Sequence, residues 1–465
     1  MSSTFQTISP VDGSVYVERQ YADGPQIDAV LARAKRASLE WRAIPLKTRQ
    51  ALVSDAVRRL VAMKEAVAEE ITWQMGRPIA YSPFEINGLQ ERAEFMIHAS
   101  ASALAPIEPE PKDGFKRYIQ KEPLGTVFVI SPWNYPFLTS INTIIPALLA
   151  GNSVVLKHSI QTPLCAERYQ NAFDAAGLPN GVFSHLHLTH EDTDKVIHSE
   201  AINFIAFTGS VAGGAHVEKA AAGRFVGVGL ELGGKDPAYI RQDADLEQAV
   251  ATTVDGAMFN SGQSCCGLER IYVHQDRFSD YVEKASELIH QYQLGRPEDP
   301  ATTLGPLAKA SASDSIRGQI QDALQSGATH HIDPKKFCLD APGTPYLAPQ
   351  LLTDVHHKMR IMREETFGPV MTVMPVKSDS EAIALMNDSD FGLTASVFTQ
   401  DLAAAEQIGN QVHTGTWFMN RCDYLDPALA WTGVKNSGRG CALSALGFDQ
   451  LTRPKSFHLK RETQS

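Results

Sequence analysis

The sequence predicts an α/β architecture of two parallel-sheet domains with a small additional β element, on three observations. From residue 126 onward, short β-branched runs alternate with helical segments in two successive series. Before that point, 28–75 is rich in Ala, Leu, Arg, Lys and Glu with apolar residues at helical spacing, which predicts two or more amphipathic helices. The 465 residues have ordinary globular composition, 43% hydrophobic and 20% charged, enough for about two to four domains.

The stretch 105–114 mixes charges with prolines, breaks the helical rhythm and reads as an extended connection. Strands follow over 126–130 and 153–156, with helices over 138–150 and 163–176. The alternation continues through 181–183, a charged segment at 191–198, a strand at 204–208, a helix opening near Ser210 and a strand at 225–230. A second series spans 246–418, with strands at 270–274, 370–376, 394–399 and 416–419. Such alternation implies parallel sheets covered on both faces. The tail, 455–460, alternates weakly and is expected to pair with an edge strand in the same or another subunit.

Charge narrows the function. Forty-two basic against 53 acidic residues give a net charge of -11, which argues against a nucleic-acid partner. The N-terminus does not read as a secretory signal, and the most apolar region is broken by Pro146, Gly151 and Asn152, so no membrane span is expected. Six cysteines without CxxC spacing suit a reducing cytoplasm and predict no metal site.

Five strand ends carry residues suited to chemistry. Cys265 and Cys266 sit in a polar, glycine-containing loop, where a thiol is a candidate nucleophile although a lone cysteine is more often buried and inert. Glu231 follows the apolar run 225–230 and precedes two glycines. A carboxylate there lies where parallel sheets bind ligands, and partial burial would tune it as a base. Asn134, in a turn between Pro132 and Pro136, offers an amide to a developing oxyanion. The run FTGSVAGG at 207–214 turns from strand into helix and can cradle a phosphate, and Lys157 ends a further strand.

Together these motifs resemble the NAD(P)-dependent aldehyde dehydrogenase superfamily over essentially the whole chain: PWNYP at 132–136, VVLK at 154–157, FTGSVAGG at 207–214, ELGGK at 231–235, GQSCCGLER at 262–270 and ETFGPV at 365–370. The resemblance implies Cys265 as nucleophile, Asn134 with the Cys265 amide as oxyanion hole, and Glu231 as the base that activates water. It implies NAD or NADP as cofactor, with Lys157 on a ribose, Ser210 on the pyrophosphate, Glu365 on the nicotinamide ribose, and Phe367, Trp133 and Ile130 around the nicotinamide. Ser159, Ile160, Gly209, Gly214 and Leu232 complete the implied contacts. It further implies a cofactor-binding domain of 1–111 and 126–230, a catalytic domain of 231–440, and an oligomerisation element of 112–125 and 441–465 that builds a homodimer or homotetramer.

The expected reaction is oxidation of a small-molecule aldehyde to an acid through a cysteine thioester. A CoA-acylating or reductive semialdehyde enzyme, a cofactor-independent cysteine hydrolase and a non-catalytic binding protein are the alternatives. Two departures from the family pattern stand out: Ile160 occupies the place of a glutamate that repels NADP, and Ala445 that of a second glutamate. The entrance is expected at Tyr135, Leu138 and Thr139 and over 421–426, where Asp423 and Asp426 favour aminoaldehydes, while a semialdehyde carboxylate would call for Arg421. A broad apolar tunnel is the third possibility.

Overall fold

The computed structural model of the protein describes residues 4–461. Its parallel strands are numbered β1–β11 in chain order. The first sheet contains β1 (Thr126–Ser131), β2 (Ser153–His158), β3 (Phe183–His185), β4 (Phe204–Thr208) and β5 (Gly227–Glu231), in the spatial order β3-β2-β1-β4-β5. The two-residue strand Gly438–Arg439 runs antiparallel beside β5, with Gly438 opposite Glu231. Every residue of β1 is buried, as a strand covered on both faces requires.

The direction of winding reverses between β1 and β4. At such a switch point the crossovers leave on opposite faces, and the crevice beyond the carboxyl ends of the two strands stays open for a ligand. Here those ends are Ser131 and Thr208.

Leu232, Gly233, Gly234 and Lys235 alone separate β5 from the second sheet. That sheet contains β6 (Asp236–Ile240), β7 (Leu268–His274), β8 (Gln350–Thr353), β9 (Val370–Val376), β10 (Thr394–Phe398) and β11 (Thr416–Met419), in the order β8-β9-β7-β6-β10-β11. The short strand Thr329–His330 closes its β8 edge in antiparallel fashion.

The expected helical start resolves into Gly24–Trp41, Leu46–Ala62 and Lys64–Met75. Among the elements that escape the sequence reading are the hairpin Thr4–Ile8 with Val15–Gln20, the helix Phe84–Ala103, β6 and β8. In β6 the preceding glycines and Pro237 look like a loop. The sheet tolerates Pro237, which has no amide hydrogen, at a register shift opposite Arg270. The strand expected from residue 225 begins instead at Gly227, because Phe225 is fully exposed and has a left-handed φ of 55°. No helix among the described residues is long and apolar enough to cross a membrane.

The tail strand Thr452–Lys460 finds its partner within its own chain. It runs antiparallel to Phe115–Pro123 as a two-stranded ribbon, and Tyr118 stacks on Phe457 with ring centroids 4.5 Å apart.

Candidate active site

A cavity of about 230 Å³ opens at the β1–β4 switch point, bounded by Trp133, Asn134, Thr208, Glu231, Cys265 and Phe367 among others. Cys265 also borders a second cavity of about 350 Å³, toward Tyr135, Leu138 and Thr139. The half-buried thiol therefore lies between two spaces, one on the dinucleotide-type crevice and one leading away from it.

Glu231 is the last residue of β5 and stands opposite Thr208 in the sheet register. Burial pushes its carboxyl up to about 7, opposed by the Thr208 hydroxyl, whose Oγ1 donates to Oε2 at 3.4 Å, and by the charge of Arg92. A carboxyl at that value can both take and return a proton near neutrality. Cys265 is raised well above an ordinary thiol, first by hydrogen bonding with Cys266, then by burial and by the carboxylates of Asp236 and Glu365. It rests as a protonated thiol. Cys266 is buried, with its Sγ 3.4 Å from the Ser264 hydroxyl.

Asn134 directly precedes the helix Pro136–Ala150. One hydrogen of its Nδ2 goes to the Gln263 carbonyl at 3.2 Å, leaving the other for a ligand, and the Cys265 amide has no acceptor among the described residues. These two donors are available to an oxyanion. The nucleophile loop reaches them through left-handed Asn260 and Ser261, followed by Gly262, where a Cβ would lie 2.1 Å from the Gly368 carbonyl oxygen.

Behind the loop lies a buried network that sequence reasoning missed. Arg77 donates from Nη2 to the Asn134 carbonyl at 2.5 Å and from Nε to Asn260 at 3.1 Å. Glu85 pairs with Arg77 and accepts the amides of Phe137 and Leu138, neutralising orphan donors at the helix start. Lys235 pairs with Glu269, whose carboxylate accepts the amides of Thr366 and Phe367. The available signal was charge inside a largely apolar, buried strand, as with Glu269 and Arg270 in β7.

The crevice fits a dinucleotide. Ser210 caps the helix Val211–Ala221, and the amides of Val211 and Ala212 at its positive end have no acceptor among the described residues. The half-buried amino group of Lys157 has no hydrogen bond or salt bridge there either, and burial lowers its pKa. Trp133 and Phe367 meet edge-on at 5.8 Å. Glu365 accepts the Gly234 amide at 3.0 Å and is pushed up to about 7 by burial. Its approach depends on Gly233, where a Cβ would lie 2.5 Å from the carboxylate.

Of the sequence-named residues, Trp133, Asn134, Gly209, Ser210, Glu231, Leu232, Cys265, Glu365 and Phe367 line the first cavity. Ile130, Lys157, Ser159, Ile160 and Gly214 do not. Ile130 is a buried strand residue opposite Lys157, and Gly214 lets its helix pack on Leu232, 2.6 Å from where a Cβ would sit. Ile160 borders a separate cleft against the N-terminal segment, its carbonyl accepting from Thr7 at 2.6 Å. Ala445 is exposed and lines neither catalytic cavity.

At the expected entrance, Tyr135, Leu138, Thr139, Asp423, Tyr424 and Leu425 line the second cavity. Asp426 does not; it accepts the Ala428 amide at 2.8 Å as a turn cap. Arg421 does not either, its guanidinium lying 3.7 Å from the ring centroid of Tyr424. The arginine that does line the cavity is Arg92, from a helix the sequence reading did not anticipate.

A thiol between two cavities, a near-neutral carboxyl and two free donors at a dinucleotide-type switch point are the parts that an oxidoreductase with a dinucleotide cofactor needs. The chain belongs to the aldehyde dehydrogenase family, whose sequence model matches residues 1–457. It is an NAD(P)-dependent aldehyde dehydrogenase. It is 32% identical over 451 residues to a succinate-semialdehyde dehydrogenase [NADP(+)] of Deinococcus radiodurans, covering 97% of this chain and 94% of the relative. It is 31% identical over 445 residues to a succinate semialdehyde dehydrogenase [NAD(P)+] of Escherichia coli K12, covering 96% of each chain. The structure of a succinic semialdehyde dehydrogenase of Streptococcus pyogenes in complex with NADP+ superposes with a TM-score of 0.93 at 27% identity, covering 98% of this chain and all of the other.

Proposed function

We infer that the protein oxidises a semialdehyde to the corresponding dicarboxylic acid, with Cys265 as nucleophile and Glu231 as general base. The position of Cys265 between the two cavities carries the reading, and the succinate-semialdehyde dehydrogenases among its relatives support the substrate class. The thiol rests protonated, so a base must accept its proton as sulfur attacks the carbonyl carbon, and Glu231 is the base at hand. The resulting oxyanion is held by Asn134 Nδ2 and the Cys265 amide. The nicotinamide, when bound, supplies the hydride acceptor for the oxidation. Glu231 releases that first proton to solvent and then takes one from water, which attacks the thioester carbon; as the C–S bond breaks, Glu231 passes this second proton to the departing sulfur, returning the Cys265 thiol and its own carboxylate and releasing the acid.

Lys157, Ser159 and Ile160 serve the adenosine side of the cofactor. Gly209, Ser210 and Gly214 serve the pyrophosphate, and Ile130, Trp133, Leu232, Glu365 and Phe367 the nicotinamide side. Residues 1–111 with 126–230 form the cofactor domain and 231–440 the catalytic domain. Residues 112–125 with 441–465 form the element for assembly into a homodimer or homotetramer, and the six free cysteines suit the cytoplasm. The test is formation of reduced cofactor with succinate semialdehyde in wild type, Cys265→Ala and Cys266→Ala. Activity is expected to vanish in the first variant and persist in the second, and the reverse pattern would assign the wrong thiol.

A further inference from the structure

The second cavity contains a group that the chemistry above does not use. Arg92, on the helix Phe84–Ala103, is 8% exposed, yet no carboxylate forms a salt bridge with it among the described residues. Its Nη1 donates to the Leu138 carbonyl at 2.8 Å and to Asn142 Oδ1 at 3.3 Å. Those two bonds fix the guanidinium plane against the helix Pro136–Ala150. They leave Nε and Nη2 without acceptors among the described residues, in a side chain that lines the same 350 Å³ space as Cys265. Three of its five N–H donors are thus left for whatever occupies that space, water or ligand.

The carboxylates nearby are committed elsewhere. Glu85 belongs to Arg77 and the helix start, Glu91 accepts the Tyr424 hydroxyl at 2.6 Å, and Glu231 faces Thr208. Asp423 lines the cavity too, but the Arg92–Asp423 pair is not within salt-bridge distance, and burial pushes the Asp423 carboxyl up to about 6. A cationic substrate tail would meet an unneutralised guanidinium in this space. An anionic tail would complete it.

We propose that Arg92 is the specificity residue that recognises the distal carboxylate of the substrate, through its free Nε and Nη2 donors. This deepens the semialdehyde reading above and rests on it. A guanidinium edge matches two carboxylate oxygens in one plane, so recognition is charge-assisted and directional. Cys265 and Arg92 line this one space together. Arg421, which the sequence suggested for this task, is instead stacked on Tyr424 at the rim.

The experiment is steady-state kinetics of the full chain with NADP+ on succinate semialdehyde and on pentanal, an uncharged aldehyde of similar length, in wild type, Arg92→Met and Arg92→Lys. The ratio of the two kcat/KM values is expected to fall about 10²-fold or more in Arg92→Met, mainly through KM for the semialdehyde. Arg92→Lys is expected to recover part of the ratio, because the charge returns without the planar edge. Competitive inhibition by succinate should weaken in parallel. A folding defect would lower both substrates together and leave the ratio unchanged. A wild type that prefers the semialdehyde, with an unchanged ratio in Arg92→Met, would overturn the role of Arg92. A wild type without that preference would overturn the semialdehyde reading itself.

Discussion

Arg77 and Glu85 form an ion pair from which water is excluded, with Nη1 2.5 Å from Oε2 and side chains 2% and 0% exposed. The two remaining groups of the guanidinium hold the backbone of Asn134 and the side chain of Asn260, so the pair joins the oxyanion turn to the nucleophile loop. Breaking a buried pair leaves one charge unpaired, at a cost of about 3–5 kcal/mol. Arg77→Met is therefore expected to lower thermal stability markedly. It should also lower kcat for any aldehyde, because Asn134 loses its anchor. Arg77→Met with Glu85→Gln should recover more stability than activity, as measured by melting curves alongside initial rates.

Glu231 makes the rate depend on pH in a definite direction. Only its carboxylate form accepts a proton, so when hydrolysis of the thioester limits turnover, kcat should rise with pH through about 7. Thr208 lowers this value by its hydrogen bond, so Thr208→Val should move the profile to higher pH. Glu231→Gln is expected to cut steady-state oxidation by about 10²–10⁴-fold and, because Glu231 also takes the thiol proton, to slow the first-turnover burst of reduced cofactor. A burst at the wild-type rate would confine Glu231 to hydrolysis and give the thiol proton to another base. Stability follows the same carboxyl. A raised value favours the folded state fully below pH 4.5, its ordinary position, and that contribution is lost as pH rises through about 7. The advantage of Glu231→Gln over wild type in melting temperature should accordingly grow as pH rises from 4.5 to about 7 and level off above it.

Cofactor choice is expected to depend on Ile160, which is 38% exposed and carries no charge. With no carboxylate to repel a 2′-phosphate and Lys157 in the preceding strand, NADP is expected to be accepted together with NAD. Ile160→Glu should reduce kcat/KM for NADP by about tenfold or more relative to NAD. An unchanged ratio would mean that residue 160 does not face the adenosine ribose, a result its contact with the N-terminal segment would explain.

What the sequence made legible was local. Strands such as β1 and β9 are largely apolar runs, and the candidate catalytic residues lie in or beside glycine- and proline-marked turns whose chemistry can be read in place. The buried supports were not legible, because Arg77 and Glu85, or Lys235 and Glu269, acquire meaning only as pairs brought together by folding. Arg92 was hidden for the same reason. On its helix it looks like one solvated charge among several, and only the packing of that helix against Pro136–Ala150 turns it inward. Of the segment 421–426, Asp423 lines the second cavity and Arg421 and Asp426 do not, since neighbours in an irregular segment need not face the same way.

Assembly is the last prediction, and it follows from the ribbon. Phe115–Pro123 and Thr452–Lys460 pair along nine positions but join neither large sheet, and most of the tail strand is exposed. A two-stranded ribbon is marginal in water; Ile119 exchanges backbone bonds with Ile107 on one outer edge, while the outer edge of Thr452–Lys460 is unpaired among the described residues. Glu122 ties the base of the ribbon to Lys455 and Arg453, and Tyr118 on Phe457 stiffens its middle, so the ribbon is held ready rather than left to fray. An edge held in this way is suited to continue a sheet of another subunit, which would give a dimer or a dimer of dimers. Truncation after Pro454 removes Phe457 and most of that edge. Light scattering should then report a smaller or aggregating species, and an unaltered mass with full activity would show that the ribbon does not mediate assembly.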